Sequence, residues 1–317
     1  MLLATTLPDA TAFASLVVEL LLIATAAFAG GASLAFLSLG HRPMQVLLSL
    51  TGGVLLGVGM LHLMPHAWMQ LDRDIEKTMG WVLAGFFLMF LLERAFHGHA
   101  HHTADGGCSH DHGSHDHGSH GDDAGHGHEH AAAPAVRSFA WCGAFAGLAL
   151  HSLADGAALA ASVGADAAHG VGLLAGFATF LAILLHKPFD AGIIATLMID
   201  AGASPRTRLL VNALYAAVVP IGAFGFLTSL ALFGGRQDAV LGIAMAMAAG
   251  AFLCIAAADL LPEVQFHSHD RVLLTTALAM GLAIAWGITA LERSSHAHGA
   301  HTQNAITAPA AAPAQDR

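Results

Sequence analysis

Two short stretches place a histidine and an aspartate four residues apart inside long apolar runs: His151 and Asp155 in HSLADGAA, and His186 and Asp190 in HKPFDAG. In an α-helix residues i and i+4 share a face, so each pair projects as one imidazole beside one carboxylate. Two such faces turned together offer two nitrogen and two oxygen ligands. That mixed set suits borderline divalent cations, Zn²⁺ first and then Fe²⁺, Mn²⁺, Co²⁺, Ni²⁺ or Cd²⁺, whereas Mg²⁺ and Ca²⁺ prefer oxygen alone. A lone charge at bilayer depth costs about 2.5–3.5 kcal/mol on insertion scales, and ligation to a cation offsets much of it. For either pair alone the competing reading is a hydrogen bond that joins helices. Two pairs on neighbouring runs favour the metal.

The surroundings fit a site. Pro188 removes a backbone N–H between His186 and Asp190, freeing carbonyls for water or a cation, while Gly156 and Gly192, each just past an aspartate, admit a neighbouring helix. Ser152 and Lys187 follow the two histidines directly and face about a third of a turn away. The Lys187 ammonium has two readings that coexist: it repels or replaces a second cation, or it pairs with Asp190 or another acid when the site is empty. Either way one ion is expected rather than a binuclear centre.

Helices long enough to hold these residues in a membrane are written into the composition. The chain is 56% hydrophobic and 11% charged over 317 residues, with apolar runs of the roughly 20 residues that cross a bilayer core. They fall near 11–39, 44–69, 79–97, 138–163, 169–200, 207–234, 239–262 and 272–291, giving an all-α integral membrane fold of eight spans. The small-residue stretch AAFAG, Ala26 to Gly30, resembles a signal cleavage site, but no basic residue precedes it, so the first run is read as a helix. Eight spans place both termini on one side. Arg42, Arg94, Arg137, Arg206, Arg208 and Arg271 fall on the side of the loop between spans three and four, against Arg73, Lys77, Arg236 and Arg293 on the other. That bias puts this loop in the cytoplasm. The net charge of −10 is spread over loops, and no nucleic-acid partner is expected.

The expected organisation is spans one to three in 1–96, a disordered histidine-rich cytoplasmic loop in 97–137, spans four to eight in 138–293 and a disordered tail in 294–317. The loop carries HGHAHHTADGGCSHDHGSHDHGSHGDDAGHGHEH, His97 to His130, too poor in apolar residues to bury a core; it reads as a metal-capturing segment or a solvated linker. Cys108, Cys142 and Cys254 have no paired spacing and suggest neither a disulfide framework nor a thiolate site. LHLMPHA, Leu61 to Ala67 in span two, echoes ADLLPEV, Ala258 to Val264 in span seven. These helices run oppositely, so the echo points to an inverted repeat of spans one to three and six to eight around spans four and five.

His151-Ser152-Leu153-Ala154-Asp155-Gly156 resembles the span-four signature of the ZIP (Zrt/Irt-like) metal transporters, and His186-Lys187-Pro188-Phe189-Asp190-Ala191-Gly192 resembles their span-five signature. The span count, the histidine-rich loop after span three and the proline-bearing ends of spans two and seven also match. The resemblance implies that His151, Asp155, His186 and Asp190 form the transport site, and that Ser152 and Lys187 stand where binuclear members help to bind a second ion. Neither is a good ligand there. His62 and His66 are similar to polar residues near the family's metal pathway, or are interfacial histidines; Asp259 and Glu263 serve a relay or a scaffold. Glu19 has no counterpart.

The mechanism so implied is alternating access, with spans one, four, five and six sliding against two, three, seven and eight and carrying metal into the cytoplasm. No resident cofactor is expected, the metal being cargo; the partners are that ion and the lipid bilayer, and a homodimer is compatible. A bacterial inner membrane suits the alanine- and glycine-rich composition. A cation-diffusion-facilitator exporter also uses His-x-x-x-Asp pairs, but with six spans and a C-terminal domain, and a nickel/cobalt permease spaces its ligands differently. An intramembrane zinc hydrolase, with Ser152 and Asp259 in acid–base roles, has no substrate feature to support it, so no enzyme activity is expected.

Overall fold

The computed structural model describes residues 10–33, 41–97, 134–168, 174–232, 236–266 and 270–307. Among these every regular element is helical: α1 (Ala10–Ser33), α2 (His41–Val58), a π-helical turn (Gly59–Leu63), α3 (Met64–Gln70), α4 (Ile75–His97), α5 (Pro134–Ala168), α6 (Phe177–Asp200), α7 (Pro205–Ala216), α8 (Val218–Leu232), α9 (Gln237–Phe266) and α10 (Arg271–Thr307). Eight of the resulting rods are long and apolar enough to cross a membrane, as the runs in the sequence require. Most of the histidine-rich tract, residues 98–133, lies outside the described residues.

Departures from the expected boundaries have local causes. Span two is one rod of three pieces, because Pro65 has no N–H to return to Leu61 and the turn before it widens into the π form. Span six likewise breaks at Ala217, just before Pro220. Span five begins at Phe177, eight residues later than its apolar run, because Gly176 adopts φ +80°, a left-handed conformation that glycine tolerates best. Span four, Trp141–Ala168, is the larger part of α5, which starts at Pro134. The last helix runs from Arg271 to Thr307. Between spans two and three, the Lys77 backbone N–H donates to Asp74 Oδ1 at 3.1 Å, which holds that exposed carboxyl below its usual range.

Four helix pairs dominate the packing: α1 with α6, α5 with α8, α2 with α10, and α4 with α9. Glycines let their backbones touch. Gly53 faces the Leu278 carbonyl and Gly281 the Leu50 carbonyl; Gly85 faces Met247 and Gly250 faces Val82; Gly156 faces Val219 and Gly222 faces Leu153; Gly30 lies on Pro188. In hydrocarbon, where apolar burial does not pull helices together, such close approach is a main source of cohesion. Secondary contacts of α1 with α7 and of α5 with α6 join spans one, four, five and six, and α2 with α9 joins two, three, seven and eight.

A side chain at Gly222 would place its Cβ 2.8 Å from Leu153 Cα. Gly222→Leu is therefore expected to cost at least about 1–3 kcal/mol, lowering the thermal midpoint of the purified protein. Gly143, with nothing within 4 Å of that position, is the control: Gly143→Ala should leave the midpoint where it is.

Candidate metal site

The two histidine–aspartate pairs meet where α5 passes α6. His186 Nδ1 lies 2.8 Å from the Ala182 carbonyl one turn back on its own helix. A carbonyl only accepts, so Nδ1 carries the proton and Nε2 keeps its lone pair. That lone pair faces His151 Nε2 at 3.3 Å and Asp155 Oδ2 at 3.3 Å, and His151 Nε2 stands 3.3 Å from the same oxygen. The three atoms form an equilateral triangle. Ligands held 2.0–2.1 Å from a tetrahedral Zn²⁺ are about 3.3 Å apart, so this triangle has the spacing of one face of such a shell. His151, Asp155 and His186 are all buried.

Asp190, the fourth expected ligand, stands back from the triangle. Its Oδ2 lies 3.8 Å from His151 Nε2 and accepts from Lys187 Nζ at 3.0 Å and from the Tyr215 hydroxyl at 3.2 Å. Lys187 has no exposed surface, and its ammonium touches the Asp155 carboxylate as well. It is thus the counter-ion of both acids. Ser152 Oγ is taken up by the Leu148 carbonyl at 2.7 Å and the Tyr215 hydroxyl at 3.0 Å, which leaves it a link in a network rather than a ligand. Tyr215, in span six, is the chain's one tyrosine, and no spacing on its own helix marked it as part of the site.

Two cavities reach the triangle. One of about 210 Å³ is lined by His151, His186 and Asp190 together with Thr51 of span two and Glu93 of span three. The other, about 490 Å³, is apolar except where His151 and Asp155 border it. Glu93 was not marked by the sequence either; its Oε2 lies 3.9 Å from Cys254 Sγ.

His62 and His66 do not join this triangle. They meet Asp166, a residue with no role in the sequence reading, near the opposite end of span four. His62 Nε2 lies 3.9 Å from Asp166 Oδ2, and His66 Nδ1 lies 3.7 Å from Oδ1. The side chains of Asp259 and Glu263 fall outside the described residues.

Residues 13–291 match the family model described as ZIP Zinc transporter. The chain is 38% identical over 134 residues to Zinc transporter ZIP9 of Xenopus tropicalis, a stretch that is 39% of this chain and 41% of that protein. It is 26% identical over 273 residues to Zinc transporter ZIP1 of Mus musculus, covering 78% of this chain and 79% of the relative. It is also 36% identical over 126 residues to Metal cation symporter ZIP8 of Homo sapiens, 39% of this chain and 24% of that one. The match to the frog protein thus spans about two fifths of its length.

Proposed function

Because the chain belongs to the ZIP zinc transporter family, we propose that it moves a divalent cation, zinc first, across a membrane into the cytoplasm through the site built by His151, Asp155, His186 and Asp190. The observation that carries this reading is the triangle of Nε2, Nε2 and Oδ2 atoms at 3.3 Å from one another, a shell face that an incoming Zn²⁺ completes with Asp190 or water. Lys187 supplies one positive charge to two carboxylates, so one ion is bound at a time. Its ammonium cedes Asp155 when the metal arrives.

Alternating access fits the packing. All four ligands sit on spans four and five, which pack with one and six, so the ligand set travels intact if that group slides along the other. The helix pairs support the inverted repeat. Exchanging one with six, two with seven, three with eight and four with five turns the two–eight pair into seven–three and the four–six pair into five–one. Inward direction rests on the arginine bias of the loops.

The test is zinc flux in proteoliposomes of known orientation, with metal offered on either face. Down-gradient zinc entry that saturates supports transport, and the face that supports the faster flux gives direction; a protein that holds zinc without moving it rejects the reading.

A further inference from the structure

We infer that His62, His66 and Asp166 form a second metal site, distinct from the transport triangle, and that a cation bound there clamps the two helix groups together. One ligand atom from each of the three residues lies within 4.8 Å of the others. The rings of His62 and His66 are 4.7 Å apart, and each histidine addresses a different oxygen of the Asp166 carboxylate. Asp166 lies eleven residues beyond Asp155 on α5, about 16 Å along the axis, so the cluster is no part of the triangle.

Neighbouring polar groups fix the cluster, the carboxylate from outside and His62 at the nitrogen that a metal would take over from Ser162. The Gly176 backbone N–H donates to Asp166 Oδ2 at 2.8 Å, which fixes the carboxylate. Thr179 donates to Ser162 Oγ at 3.0 Å, and that hydroxyl lies 2.9 Å from His62 Nε2. The separations of 3.9 Å to Oδ2 and 3.7 Å to Oδ1, and the 4.8 Å span of the set, exceed the spacing of about 3.3 Å in a tetrahedral shell, so a cation must draw the three side chains inward. Two imidazoles and one carboxylate select a borderline divalent ion and give Mg²⁺ or Ca²⁺ a poor home. The His66 side chain, 13% exposed, is the entry.

The ligands come from opposite sides of the interface between the helix groups. Asp166 and its supports Ser162, Gly176 and Thr179 belong to α5 and the start of α6; His62 and His66 belong to span two. A cation there is bound only while span four keeps its present height against span two. By linkage it stabilises that arrangement. The consequence is inhibition by excess metal on the face near His66, and this part rests on the alternating-access reading; the site itself does not.

The experiment uses the full chain and Cd²⁺ as a dense probe of borderline character. A structure of the wild type with Cd²⁺ is expected to show anomalous density at both the triangle and the cluster. His66→Ala and Asp166→Asn lose the cluster peak alone, through metal binding weakened at least roughly tenfold; the asparagine keeps an acceptor for Gly176 and guards against misfolding. His186→Ala loses the triangle peak alone. A wild-type peak at the triangle with none at the cluster overturns the second site, whereas no peak at the triangle overturns the transport reading instead. In proteoliposomes, wild-type zinc uptake should pass through a maximum and decline as zinc rises on the His66 face, while the His66→Ala rate climbs to a plateau. A wild-type plateau with the cluster filled overturns the clamp.

Discussion

Asp155→Ala is expected to abolish zinc uptake, with a loss of at least a hundredfold in initial rate against the wild type in the same vesicles. One oxygen of this residue is a vertex of the triangle with His151 and His186, and the same oxygen holds the Lys187 ammonium. The alanine removes the anionic ligand and leaves the ammonium beside two imidazoles with Asp190 as its remaining acid. An incoming dication then meets a net charge less favourable by one unit in a buried space, where charge interactions are far stronger than in water. The signature is specific: the protein folds, because Lys187 keeps the 3.0 Å bond to Asp190, yet zinc no longer raises its thermal midpoint. Uptake within a few-fold of the wild type means that the histidine–aspartate pairs serve helix cohesion and that metal travels elsewhere.

Lys187→Met is expected to have the opposite pattern, a large loss of stability without metal and a rescue with it. The side chain is wholly buried and neutralises two carboxylates. Removing one partner of a buried ion pair leaves a charge uncompensated, which typically costs about 3–5 kcal/mol. Methionine preserves most of the volume, so the loss is electrostatic rather than a packing defect. Zinc resupplies the missing positive charge. The thermal midpoint of the variant should therefore rise with added zinc by clearly more than that of the wild type, and its KM for zinc should fall along with kcat, because no ammonium competes for Asp155 to help the ion leave. Equal zinc-dependent stabilisation of variant and wild type shows that the ammonium and the metal do not share the carboxylates.

The part of the site that could be read from sequence is the part encoded on single helices. His151 with Asp155 and His186 with Asp190 carry their geometry in an i, i+4 spacing, so their faces were legible before any helix was placed. Tyr215, Glu93 and Asp166 carry none. Each finds its partners on other helices, and period alone does not say which faces meet. The eight-span architecture followed from length and hydropathy, since a bilayer core sets helix length. The start of span five did not, because an apolar run continues through Gly176, where backbone conformation rather than hydropathy ends the loop. Spacing also suggested four equivalent ligands. The hydroxyl of Tyr215, from span six, is what sets Asp190 apart from the other three.

The pairing of span two with span eight and of span three with span seven also sets an order of assembly. Synthesis delivers the early helices first, but their glycine-lined faces fit partners that lie some two hundred residues downstream in the chain. Until those partners emerge, Gly53 and Gly85 face lipid, with no backbone opposite them. The first three spans must therefore wait as separately inserted helices, and the outer four-helix group closes only after the last span enters. A nascent chain stalled before α9 has neither closing partner, and it presents two open seams to the surrounding bilayer and to any other incomplete copy nearby.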